Sequence, residues 1–193
     1  MNLDITKIRL LTYLKPSIFV QNIFDIHINN LKLQGFKMVI CDLDNTLVPH
    51  FTRTPTIKVI DFIKQIREQG LMFVIVSNNT KKRVTEFCKN LEIDGFIYSA
   101  MKPSLFKLKK FFKKHNVKME DVIFIGDQVI TDIWVANRLK CKSILTLPLV
   151  GSYSNKKGWI INFIDKYIYM YLQNKNLLNN DEELKIEELY EIL

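Results

Sequence analysis

Cysteine is scarce in this chain, and the little there is forms no pattern. Cys41, Cys88 and Cys141 are the only cysteines among 193 residues. Their odd number leaves no complete disulfide set, and none shares C-x-x-C spacing. That usage fits a reducing, cytoplasmic setting. No arginine follows any cysteine at the C-x5-R spacing, so cysteine-phosphatase chemistry has no motif here. The three histidines form no cluster with the cysteines, which removes the usual ligand set for zinc. No apolar run approaches the roughly eighteen residues of a membrane-spanning helix. The opening stretch MNLDITKIRL mixes polar and apolar residues and lacks the apolar centre of a signal peptide. Internal repeats and low-complexity segments are missing as well.

Positive charge is what the chain has in excess. The formal net charge is +8, and it is uneven. Residues 181–193 hold six acids and one lysine, a net of −5, which leaves +13 on residues 1–180. A basic body favours an anionic partner: a phosphate ester, a membrane surface or nucleic acid. Ordinary solvated lysine accounts for the same excess. Hydrophobic residues make up 48%, enough for a sizeable core, and the length suits one domain over 1–193.

Periodicity sets out the elements. Residues 17–34 place Phe19, Ile23, Ile26 and Asn30 near one stripe, which predicts an N-terminal amphipathic helix after Pro16. Phe36–Cys41 reads as a strand. Thr54-Pro55 looks like a helix cap with proline at the first helical position, and Gly70 closes that helix. The unbroken run Leu71–Val76 predicts a strand covered on both faces. A helix from Thr80, a short strand 96–100, a lysine-rich helix 104–115, a strand 122–125, a helix 131–139 and a strand 143–147 follow. This alternation predicts an α/β fold with a doubly wound, mostly parallel sheet. Beyond it, residues 157–174 predict an amphipathic helix with Asn162, Asp165, Lys166, Tyr169 and Gln173 on one face and a broad aromatic face opposite. Such a helix suits a membrane interface, and it suits packing on the core or a second subunit, which we favour. Residues 181–193 predict a short acidic helix.

In a parallel sheet the carboxyl ends of the strands lie on one edge, where ligands bind. Four polar groups fall at such ends: Asp42 and Asp44, Ser77-Asn78-Asn79, Lys102-Pro103, and Gly126-Asp127 with Thr131-Asp132. Two carboxylates two residues apart repel each other, and a divalent cation relieves the repulsion. Oxygen-only ligands suit a hard ion such as Mg²⁺. Lys102 and Ser77 supply donors for phosphate oxygens. A carboxylate can attack phosphorus, and a second acid can carry the proton.

In that order, these four groups resemble the motifs of the haloacid dehalogenase (HAD) superfamily of phosphohydrolases. The resemblance implies a HAD-like Rossmannoid core over about residues 36–150. It implies Asp42 as nucleophile, Asp44 as general acid/base, and Lys102, Ser77 and Asn78 as phosphate ligands. Mg²⁺ would be held by Asp42, by Asp44 through its carbonyl, and by Asp127, with Asp132 in support. The gaps between the first three motifs hold one helix and one strand each, with no room for a cap domain. The leader Leu14-Lys15-Pro16, the segment DLDNTLV and the segment GDQVITD are similar to the YqeG-like branch of class IIIA, related to mitochondrial phosphatases of phosphatidylglycerophosphate. That likeness implies a lipid phosphate as substrate and peripheral contact with the inner face of an anionic membrane. A phosphatase of soluble metabolites or nucleotides is the alternative. An RNA-associated binding protein is the alternative of another class, although no RNA-binding motif accompanies the basic body. His50, just beyond the first motif, is placed to touch substrate or to sit idle in a loop. Cys41 reads as a packed core thiol.

Overall fold

Six short runs rich in β-branched and aromatic residues become strands, and their order in space explains where the polar strand ends meet. In the computed structural model, residues 13–150 and 159–178 are described. The strands are β1 (Ile18–Val20), β2 (Met38–Cys41), β3 (Met72–Val76), β4 (Gly95–Ile97), β5 (Val122–Gly126) and β6 (Lys142–Thr146). They form one parallel sheet in the order β1-β6-β5-β2-β3-β4. From β2 the chain runs outward through β3 and β4. It then returns to the other side of β2 for β5 and β6. The reversal lies between β2 and β5, which is where open α/β sheets place their ligands. Cys41 is in register with Ile125, and the Asp42 N–H donates to the Ile125 carbonyl at 2.9 Å. Asp42 and Asp127 therefore leave neighbouring strands side by side.

The helices are α1 (Ile28–Leu33), α2 (Ile57–Glu68), α3 (Lys81–Cys88), α4 (Phe106–His115), α5 (Trp134–Leu139) and α6 (Trp159–Asn174). On one face of the sheet Val39, Phe73, Ile75 and Ile123 pack with Phe62 and Ile63 of α2 and Val84 and Phe87 of α3. On the other, Met38, Ile40, Val74 and Phe124 pack with Leu108 and Phe112 of α4 and Val135 and Leu139 of α5. Both faces of β2 and β5 are buried, as unbroken apolar strands require.

Three expectations need correction. Residues 17–34 are not one helix. Ile18 and Val20 turn inward on edge strand β1, and Asn22 caps a 3-10 turn, accepting from the Phe24 N–H while Asp25 accepts from its own N–H. Only Ile28–Leu33 is α-helical. Pairing with β6 outweighs the helical stripe, so the sheet begins before residue 36. The cap of α2 is Thr56, whose hydroxyl accepts from the Val59 N–H, and not Thr54. Finally, α6 docks on the core through Asp165, Ile168, Tyr169 and Leu172, an edge that takes in part of its polar face. Phe163, Ile164, Tyr167, Met170 and Tyr171 stay exposed. No described helix is long and apolar enough to cross a membrane. The expected acidic helix at 181–193 lies outside the described residues.

Candidate active site

Asp42 follows β2, Asp127 follows β5, and Asp132 lies within the turn that leads from β5 into α5. Their carboxylate oxygens lie within 4.8 Å of one another, and all three residues are buried. Lys102, from the loop after β4, reaches into the group. Its Nζ donates to Asp42 Oδ1 and to Asp132 Oδ1, each at 2.6 Å, with only 1% of its side chain exposed. Thr46 donates to Asp127 Oδ1 at 3.0 Å. Three carboxylates and one ammonium leave a formal excess of −2 in a region that water scarcely reaches. Burial pushes the Asp42 carboxyl up to about 7, against the pull of Lys102. Burial, helped by Asp42 and Asp132, pushes Asp127 well above the usual carboxylate range. For Lys102, burial alone would lower the ammonium's pKa, but Asp132 and Asp42 outweigh it and hold the value above the ordinary lysine range. An all-oxygen donor set with that excess charge fits a hard divalent cation. The Asp44 carboxylate does not join this set.

Lys102 is placed by Asn78. The Asn78 amide donates to the Lys102 carbonyl at 3.0 Å and accepts from the Lys102 N–H at 2.6 Å. Both ends of that amide meet the Lys102 main chain, so the side chain ties the turn after β3 to the loop that carries Lys102. Ser77 is buried at the end of β3, and its hydroxyl accepts from the Asn79 N–H at 3.0 Å. That bond holds the turn into α3, where Thr80 caps the helix.

Asp44 belongs to a different neighbourhood. Its carboxylate accepts from Arg83 at 2.9 and 3.3 Å and from Asn79 at 3.1 Å. Arg83 is itself buried beside Phe87, and it also donates to the Arg53 carbonyl at 3.4 Å. His50 and Arg83 border the same cavity next to Asp44.

The loop that carries Asp127 and Asp132 is shaped from both ends. A Cβ on Gly126 would collide with the Asp132 side chain, so the close approach of strand and acid needs glycine there. Residues Val129–Ile133 then form a single π turn, a form that often marks functional sites. It leaves the Val129 and Ile130 N–H groups outside the helical ladder. The buried carboxylate of Asp165 on α6 accepts both, at 2.9 and 2.8 Å. Burial raises the Asp165 carboxyl to about 6, although these two bonds oppose the shift.

Arg83 and Asp165 escape the sequence analysis. Arg83 sits six residues after Ser77 in a run of charged residues that reads as a solvated helix face. Its neighbours Val84 and Phe87 are the one hint that the helix turns that side inward. Asp165 reads as one more member of a polar face. The cysteines behave as expected: Cys41 is fully buried, and burial pushes Cys88 and Cys141 up to about 12. None is a reactive thiolate.

The doubly wound sheet and the four strand ends that converge on its switch point define a HAD-type phosphatase. The chain belongs to the family described as mitochondrial PGP phosphatase, whose model matches residues 5–149. It is similar to the Probable phosphatase YqeG of Bacillus subtilis (strain 168), with 35% identity over 170 residues, covering 86% of this chain and 96% of that protein. Among solved structures it is similar to a hypothetical protein from Xanthomonas campestris, with a TM-score of 0.50, covering 80% of this chain and 93% of the other. At 10% identity that second likeness is one of fold alone.

Proposed function

We propose that this phosphatase is Mg²⁺-dependent, works through an aspartyl-phosphate on Asp42, and acts on phosphatidylglycerophosphate at the inner face of the membrane. The observation that carries the chemistry is the buried group of Asp42, Asp127 and Asp132 with Lys102 bonded into it. Asp42, Asp127 and Asp132 would hold the cation, with the Asp44 carbonyl, and the bound ion would supply charge neutralisation at the phosphoryl oxygens. A carboxylate oxygen of Asp42 attacks phosphorus. The bond from phosphorus to the leaving oxygen breaks, and the alkoxide takes the proton of the Asp44 carboxyl. Water then attacks the same phosphorus and gives its proton to Asp44. The Asp42–phosphorus bond breaks, which releases phosphate and restores the carboxylate. Lys102 and the Ser77 turn hold the phosphoryl oxygens throughout.

The lipid substrate is supported by the family the chain belongs to. The exposed Phe163, Tyr167 and Tyr171 of α6 and the basic body suit peripheral work at an anionic surface. The test is a phosphatase screen with Mg²⁺, comparing phosphatidylglycerophosphate in vesicles with soluble phosphomonoesters. Turnover is expected to vanish on chelation, to return with Mg²⁺ and to be highest on the lipid. Turnover that ignores chelation would remove the metal. Equal or faster hydrolysis of soluble esters, indifferent to added anionic lipid, would replace the lipid with a metabolite.

A further inference from the structure

The family model ends at residue 149, and α6 lies past it. From there α6 sends one buried acid back to the turn that carries Asp132. Asp165 Oδ2 accepts from the Val129 N–H at 2.9 Å, and Oδ1 accepts from the Ile130 N–H at 2.8 Å. These are the first two N–H groups of the π turn, and no helical carbonyl precedes them. A buried carboxylate is costly, and a neutral acceptor would be cheaper to bury. An amide, however, has one oxygen, whereas a carboxylate has two, one for each N–H.

The turn needs such a clamp because its register is divided. The Gln128 carbonyl accepts from the Asp132 N–H at 3.0 Å, the four-residue spacing of an α-helix. It also accepts from the Ile133 N–H at 3.3 Å, the five-residue spacing of a π turn. The Trp134 N–H continues at the five-residue spacing, to the Val129 carbonyl. One residue is about 100° of helix rotation, so a turn that settled wholly into the α register would swing its side chains around the axis. Asp132 has little room for that. Its Oδ2 accepts from the Gln128 N–H at 3.1 Å and its Oδ1 from Lys102 at 2.6 Å. Val129 and Ile133 of the same turn pack against Leu172 and Ile168 of α6, so the helix both underlies the turn and bonds to it.

We propose that Asp165 is a positioning residue for the metal site: it fixes the first two N–H groups of the π turn, and so the direction in which Asp132 meets the cation. α6 thereby belongs to the metal site although it supplies no ligand. The inference rests on the proposed part of Asp132 in holding Mg²⁺. It assigns a role to a residue outside the four strand ends, acting through backbone alone.

The test is Mn²⁺ affinity of the full chain, followed by electron paramagnetic resonance, in the wild type, Asp165→Asn and Ile66→Val. Asp165→Asn keeps the size of the side chain but offers one acceptor in place of two. It is expected to weaken Mn²⁺ binding by about tenfold or more, the usual effect of losing a group that orients a ligand. Ile66 is fully buried under α2, away from the turn. Ile66→Val is expected to lower stability in urea and to leave Mn²⁺ affinity unchanged, which separates positioning from stability. Unchanged affinity in Asp165→Asn overturns the inference and leaves the metal reading standing. An equal loss in Ile66→Val overturns it too, because the effect is then one of stability. A wild type that binds no Mn²⁺ removes the metal reading, and the inference with it. If Asp165→Asn does not fold, amide exchange in the wild type decides. Coupling is reciprocal, so added Mg²⁺ is expected to slow exchange along α6 by about the same factor. Exchange that ignores Mg²⁺ overturns the inference.

Discussion

Asp42 and Asp44 are neighbours in the chain but not in their surroundings. Asp42 sits at the sheet's switch point, buried among two other acids and tied to a lysine that solvent barely touches. Asp44 sits beyond the end of β2, where the chain turns back through a bridge to Val48. Its partners, Arg83 and Asn79, come from α3 and the turn before it, and they open onto a polar cavity. The inner region has a surplus of negative charge, and the outer region a surplus of positive charge. An attacking carboxylate needs its repulsion relieved where phosphate arrives. A proton carrier needs a route to whatever departs. Two residues of chain are enough to move from one environment to the other because the strand stops at Cys41.

Several substitutions would break this division or sharpen it. The largest effect is expected from Asp42→Asn, with kcat down by about 10³-fold or more, since a proposed nucleophile has no substitute. Steady-state assay beside an unchanged thermal melt checks it. Lys102→Met comes next. It leaves Asp42 and Asp132 without their common cation and is expected to cost about 3 kcal/mol of stability, read from urea unfolding, together with most of the turnover. In the outer region Asp44→Asn is expected to lower kcat by about 10²-fold, typical of losing one acid/base group, while Mn²⁺ binding followed by electron paramagnetic resonance stays as in the wild type. A fall in metal affinity as large as the fall in kcat would erase the boundary between the two regions.

Asp165→Asn tests the support under the inner region. The wild-type carboxyl is raised to about 6. Between about pH 4 and 6 the folded chain keeps a proton that the unfolded chain has lost, so this group's contribution to stability falls as pH rises and is smallest above 6. The variant lacks that titration. The unfolding free energy of the wild type minus that of the variant is expected to shrink by up to about 3 kcal/mol from pH 4 to pH 7. A pH-independent difference would show that the carboxylate is not the titrating group. The smallest effect is expected from Lys64→Gln, which opens an exposed pair with Glu68 on α2 and should move stability by less than about 0.5 kcal/mol.

The inner region was legible in the sequence because its chemistry permits few residue types. A carboxylate at the end of an unbroken apolar strand is costly, and Asp42 and Asp127 could be found by that cost alone. The outer region was less legible. Arg83 lies in a helix whose other charges, Lys81, Lys82 and Glu86, are ordinary surface residues, and only packing tells it apart. β1 was missed because three residues of inward and outward alternation are too few to outweigh a helical stripe running through the same segment. Asp165 was counted as surface because the donors that draw it inward belong to a turn 35 residues earlier, whose π form no local pattern announces.

Lys102 also bears on how distant parts of this protein are held together. Asp42 and Asp132 receive a counter-charge from their own chain, and Asn78 holds that lysine in place by its backbone. One buried nitrogen thus fastens segments that lie 60 and 30 residues away along the chain, so a change at Lys102 is felt on both sides of the switch point at once.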